Sequence, residues 1–272
     1  MEKNKNYWGD KEIPFTKTEE QAWTELQARI QALDNSTPVR SIKPWVWMAS
    51  AAAVAALVVS IFFIKPNAQY FAYTTAFKQT KQITLPDGSI AMLNAGSSIN
   101  FSDDWSEERV LNLEGEAFFT VKKGSRFKVF TKYGEVQVLG TSFNVSARPE
   151  NFDVICETGR VLVKSGSEEL IITPGLQASL SNGKLIQNTA GHKGNSWMDG
   201  QFIFEEEPLE NVISEIERQF NVSIEHPDLN NKSYSGQFGN LNLEETLTVV
   251  CAPFGLGFSI GENMKVTLKE IH

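Results

Sequence analysis

Twenty consecutive residues, Trp45 to Ile64, carry no charge. At 1.5 Å per helical residue, such a run matches the roughly 30 Å hydrocarbon core of a bilayer. A helix satisfies its own backbone hydrogen bonds in lipid, and Trp45 and Trp47 suit the headgroup interface, so 45–64 is predicted to be one transmembrane helix. The competing reading, a buried helix of a soluble domain, would need twenty residues without a polar stripe that then meet Lys65-Pro66. A cleaved signal peptide fits less well, because 44 largely polar residues precede the run and the run exceeds a usual apolar signal core.

Arg40 and Lys43 flank the run on one side and Lys65 on the other, with Lys78 and Lys81 further out, a bias toward an N-terminus inside. The short tail before the run forms one helix, whereas the bulk after it is strand-rich, which favours the bulk as the exported part. Formal net charge is −8. Residues 1–64 hold seven Lys/Arg and seven Asp/Glu, so the rest, with 18 Lys/Arg and 26 Asp/Glu, carries all of it. That balance argues against a direct nucleic-acid partner for the larger part. Cys156 and Cys251 are far apart, each in an apolar segment, and read as two small core residues rather than a disulfide framework.

In the tail, Thr18-Glu19-Glu20-Gln21 has the form of a capping box, and Trp23, Leu26, Ile30 and Leu33 then recur at helical spacing. An isolated helix of about fifteen residues is marginal in water, so this stripe needs something to pack on. A protein partner, the membrane surface and a second copy of the helix remain open as that something. Pro38 and Pro44 bracket a linker into the apolar run, and 65–79 leads out of it.

From Gln82 the pattern changes to short alternating segments separated by turn residues, such as Ile83-Thr84-Leu85 before Pro86-Asp87-Gly88-Ser89 and Arg109 to Leu113 before Glu114-Gly115. Further strands are expected at 90–94, 127–130, 134–139, 142–147, 152–156, 160–163 and 170–173, giving an all-β domain over 80–190. At Trp197 the period changes again. Strand 201–204, amphipathic helix 208–220 and strand 222–224 are followed by strand 234–238, helix 243–252 and strands 256–260 and 265–268. This is an α+β domain of two β-α-β units over 197–272. The expected fold is therefore multidomain: a helical segment over 1–44, the span at 45–64, a linker at 65–79, then the two domains.

Taken together, Leu85-Pro86-Asp87-Gly88-Ser89, Leu93-Asn94-Ala95-Gly96-Ser97, Leu113-Glu114-Gly115-Glu116-Ala117-Phe118-Phe119, Val138 to Val145, Gly159-Arg160-Val161 and Thr173-Pro174-Gly175 resemble the FecR family of membrane-anchored anti-sigma factors. Trp197, Phe202-Ile203-Phe204, Pro208-Leu209 and Phe220-Asn221-Val222 resemble its companion C-terminal domain, akin to the STN module of TonB-dependent transducers and secretins. The resemblance implies a single-pass inner-membrane protein with a cytoplasmic N-terminus and a periplasmic C-terminus. Its inside segment would bind an extracytoplasmic-function sigma factor, with Trp23, Leu26 and Ile30 as the contact. Its outside part would meet the signalling domain of a TonB-dependent outer-membrane receptor, and regulated proteolysis within 45–64 would free the tail. Some FecR-type regulators break their own chain at a Gly-Thr, which corresponds to Gly140-Thr141. As a pattern of residues, those two positions read more simply as a bulge or turn ahead of a strand.

No other chemistry stands out. His192, His226 and His272 lack metal-ligand spacing, and neither a G-x-S-x-G elbow nor a P-loop is present. No cofactor, metal or catalytic residue is expected. Glu205-Glu206-Glu207 is expected to favour the dipole of the helix that follows. The alternative function is a cell-envelope ligand-binding or structural protein held by a signal anchor.

Overall fold

The structure is a computed structural model that describes residues 17–34, 68–106, 108–149, 151–190 and 194–271. The predicted span, 45–64, lies outside the described residues, as do His192 and His272. Among the described residues no helix is long and apolar enough to cross a membrane. The chain divides into two compact units, 1–66 and 67–272.

In the first unit a single helix is described, α1 (Glu19–Asp34). The Thr18 N–H donates to Gln21 Oε1 at 3.3 Å, which is the return arm of the predicted capping box. Along the exposed side Glu25 pairs with Lys17 and, at 3.7 Å, with Arg29.

Among the described residues the second unit opens with thirteen strands: β1 (Tyr70–Thr74), β2 (Lys81–Thr84), β3 (Ile90–Leu93), β4 (Ser98–Ser102), β5 (Arg109–Thr120), β6 (Phe127–Phe130), β7 (Glu135–Val138), β8 (Ser142–Ala147), β9 (Phe152–Cys156), β10 (Val161–Ser165), β11 (Glu168–Ile172), β12 (Leu176–Ser181) and β13 (Lys184–Thr189). They form two layers that share β5. One runs β1-β4-β5-β6-β7-β10-β11 and the other β2-β3-β5-β8-β9-β12-β13, antiparallel except for β5 with β6. The region read as a linker thus contains a strand, because Phe71 and Tyr73 stack on Phe101 of β4.

Glu114-Gly115, read as a turn, proves to be the bend where β5 passes from one layer to the other. Glu114 pairs with Ser98 of the first layer, and Gly115 pairs with Ala147 of the second. Gly115 has φ +86°, and a Cβ there would come within 2.6 Å of Ser97 Oγ, so only glycine fits the corner. Through the bend the alternation is unbroken: Leu111, Leu113, Ala117 and Phe119 face inward, where Phe119 meets Phe127 and Phe143 at ring-centroid distances of 6.0 and 5.3 Å. Asn112, Glu114, Glu116 and Phe118 therefore face out.

The C-terminal domain follows with β14 (Gln201–Pro208), α2 (Leu209–Phe220), β15 (Ser223–Glu225), β16 (Ser233–Gly239), α3 (Leu243–Cys251), β17 (Leu256–Ile260) and β18 (Lys265–Glu270). Asn221 stops α2 in the left-handed region at φ 55°, and Asn242 Oδ1 accepts from the Glu244 and Glu245 N–H groups at the start of α3. The predicted β-α-β units do not close on themselves. β14 pairs with β16, while β15, β18 and β17 form a second sheet. Leu209, Val212, Ile213, Ile216 and Phe220 of α2 share one core with Phe202, Tyr234 and Phe238 of the first sheet and Ile224, Leu256, Val266 and Leu268 of the second. Apolar periodicity states which face of a strand is buried but not which sheet the strand joins. Glu205 to Glu207 belong to β14, with a bulge at Glu206 (φ 52°), and lie just before α2, near its N-terminus as expected. Cys156 and Cys251 are free and buried in the two separate cores, and burial pushes each thiol up to about 11.

Candidate functional site: a polar junction between the β domain and the C-terminal domain

The outward face of the second β layer is covered by the C-terminal domain. Phe118, 9% exposed, belongs to the C-terminal core, and Met92 packs against that core beside it. Around this apolar contact the alternation brings together three polar side chains from separate turns of the chain: Asn94 after β3, Glu116 on β5 and Asn144 on β8.

Glu116 accepts from the Asn94 and Asn144 amides, both at 2.8 Å. Each amide is in turn held from its other end. The Trp197 indole N–H donates to Asn144 Oδ1 at 3.1 Å, and Gln219 Nε2 of α2 donates to Asn94 Oδ1 at 2.9 Å and to Glu215 Oε1 at 2.7 Å. The Ala95 backbone N–H also donates to Asn94 Oδ1, at 2.7 Å. Two hydrogen-bonded relays thus run from the C-terminal domain into one carboxylate of the β domain.

Four charges complete the junction. Arg148 is 4% exposed and donates to the Ala95 and Gly96 carbonyls, with one nitrogen 3.7 Å from Glu116 Oε2. Arg218 and Glu215 pair within α2 at 2.8 Å, and the Arg218 carbonyl accepts from the Lys78 N–H at 2.7 Å. Burial pushes the Glu116 carboxyl up from its ordinary value; Arg148 opposes this and the charge of Glu215 reinforces it. Burial acts on Glu215 too, yet Arg148 and Arg218 outweigh it and hold that carboxyl low. A cavity of about 130 Å³ lies alongside, lined by Glu116, Arg148, Trp197, Asp153, Glu207 and Arg218 among others, and the buried Arg148 Nε has no hydrogen-bond partner among the described residues. The arrangement has no nucleophile beside a base. It can fasten two domains, and it can be wetted from one side.

The residues singled out from sequence lie elsewhere. Trp23, Leu26 and Ile30 are 63%, 46% and 56% exposed on α1. Gly140 lies in the turn between β7 and β8, and a Cβ on it would meet Lys123 Cα at 2.7 Å, which accounts for glycine by close packing alone. Thr141 is 5% exposed, and its hydroxyl has no hydrogen-bond partner among the described residues. Among those residues, too, no group of three or more His, Cys, Asp or Glu could hold a metal. The junction was missed because strand alternation assigns Asn94, Glu116 and Asn144 to an outer face, which reads as solvent. Phe118-Phe119 was the available signal: two consecutive aromatics in a strand need cover on both faces.

Comparison with known proteins adds three findings. The family model described as FecR protein matches residues 71–162, and that described as FecR, C-terminal matches residues 201–268. A crystal structure of a protein from Parabacteroides distasonis ATCC 8503, provisionally described as an anti-sigma factor, is 28% identical. It covers 75% of this chain and all of its own, with a TM-score of 0.70. A second crystal structure with the same description and source is 30% identical over 74% of this chain and all of its own, with a TM-score of 0.69. A search of curated proteins returns no significant match.

Proposed function

The chain belongs to the FecR family, whose members regulate rather than catalyse, and we propose that it is an anti-sigma factor that relays a signal across the inner membrane. On this reading the N-terminal segment lies in the cytoplasm and sequesters an extracytoplasmic-function sigma factor. The span at 45–64 anchors the chain, and the β and C-terminal domains occupy the periplasm. There the C-terminal domain, taken as STN-like, meets the signalling domain of a TonB-dependent receptor. Proteolysis within the span then frees the tail with its sigma factor.

The observation that carries the reading is the order of parts. A helix with an exposed stripe of Trp23, Leu26 and Ile30 precedes a charge-free run of bilayer length, and both FecR family matches follow it. Sequestration needs no catalysis, only a difference in affinity between the signalled and unsignalled states. Copurification of the full chain from its native membranes should bring down a sigma factor. Trp23→Asp should abolish that capture and leave reporter transcription high without any signal. An unchanged reporter would remove α1 from the contact, and absence of any sigma factor with the unaltered chain would sink the reading.

A second reading concerns Gly140-Thr141. The Thr141 hydroxyl is buried and has no hydrogen-bond partner among the described residues, which leaves it available beside the preceding carbonyl. Attack by its oxygen on the Gly140 carbonyl carbon would form an ester, break the peptide bond and pass the proton to the released amine, after which water would cut the ester. Tags at both ends followed by immunoblotting decide it, since full-length chain alone on fresh isolation would count against cleavage.

A further inference from the structure

We propose that Glu116 is the hub of a latch that holds the C-terminal domain on the β domain, and that signalling proceeds by opening this latch. The second half rests on the anti-sigma reading above; the first does not.

The direction of the two relays follows from donors that have no choice. An indole N–H can only donate, so the Trp197 contact fixes the oxygen of Asn144 toward Trp197 and its NH₂ toward Glu116. A backbone N–H can only donate, so the Ala95 contact fixes Asn94 in the same sense. Two donors that cannot turn therefore converge on position 116, which must present two acceptors. Only a carboxylate does so without conflict. The isosteric amide would set an NH₂ group against one of the two NH₂ groups already there.

The same geometry makes the latch separable. Its apolar seal from the β domain is Phe118 with Met92, a small patch beside the continuous core of either domain. The remaining contacts are hydrogen bonds that water can replace at a modest net cost. The neighbouring cavity, lined by Glu116, Arg148 and Trp197, gives water an entry. Opening the junction thus demands far less than unfolding either domain.

Amide hydrogen exchange on the full chain tests this. In Glu116→Gln, exchange over 209–220 and 201–208 should quicken tenfold or more, while 127–138, in the β core, stays as in the parent. Asn144→Asp should do the same by setting two carboxylates together. The double variant Glu116→Gln, Asn144→Asp swaps acid and amide. Its carboxylate at position 144 accepts from Trp197 and from the new amide at position 116, whose oxygen accepts from Asn94. It should return exchange to within twofold of the parent. Parent-like exchange in Glu116→Gln, or a double variant no better than the singles, would overturn the hub. Sigma-dependent transcription is read in parallel and should rise in both single variants and fall back in the double. Quickened exchange without that rise would leave the latch and remove its role in signalling. A parent chain that restrains no sigma factor would remove the anti-sigma reading alone.

Discussion

Two helices of this chain carry the same kind of apolar stripe and meet opposite fates. On α1, successive steps of about 100° place Trp23, Leu26 and Ile30 within one narrow arc, and all three are exposed. On α2, Leu209, Val212, Ile213, Ile216 and Phe220 form a broader stripe that is buried to the last residue. Periodicity therefore tells which face wants cover, not where the cover comes from. α2 finds it in two sheets whose strands lie on both sides of it in sequence, and in the face of the β domain. On α1 the described residues leave the stripe uncovered.

Truncating each helix at its centre should separate them most sharply. Ile216 is fully buried, so Ile216→Ala should cost about 2–5 kcal/mol in a urea titration of the full chain. Ile30→Ala, at a site 56% exposed, should stay within about 0.5 kcal/mol. Equal losses would mean that α1 already has an intramolecular partner, and the contrast would collapse.

Trp197→Phe sharpens the account of what α2 leans on. The substitution keeps an aromatic ring at a site 5% exposed but removes the N–H that pins Asn144, leaving a buried carbonyl unpaired at a cost of about 1–3 kcal/mol. The loss should register in exchange over 209–220 and leave α1 untouched. A uniform loss over 127–138 would instead make Trp197 a general core residue.

How far the sequence reaches follows the same line. Strands at 142–147 and 152–156 and the helix at 209–220 were legible because strong alternation or a 3.6-residue stripe marks each. β1 was missed because Tyr70-Phe71-Ala72-Tyr73 follows Pro66 with an aromatic on both faces and no turn pair to frame it. β12 and β13 were missed because Gln177, Ser179, Gln187 and Asn188 dilute their pattern. The junction was illegible for a deeper reason. Asn94, Glu116, Asn144, Trp197 and Gln219 lie up to 125 positions apart, and what makes them a site is the direction of their hydrogen bonds, which spacing does not encode.

The smallest expected effect sets the carboxylates of the two helices against each other. On α1, the hydrogen bond and charge of Lys17 hold Glu25 low, with Arg29 assisting, but the group is exposed, so salt should screen the pairing. On α2, Glu215 is held low by Arg148 and Arg218 despite burial, where salt screens poorly. A carboxyl whose folded value is depressed contributes stability that is present above its ordinary value, about 4.5, and is lost as pH falls through the folded value. Acidification from neutral to below that ordinary value should therefore quicken exchange over 209–220, after correction for the intrinsic rate, and do so alike in low and high salt. Over 19–34 any acid response should be slight in low salt and vanish in high salt. A salt-sensitive response in α2 would show that its charges are solvated, and the two helices would then differ only in their apolar cover.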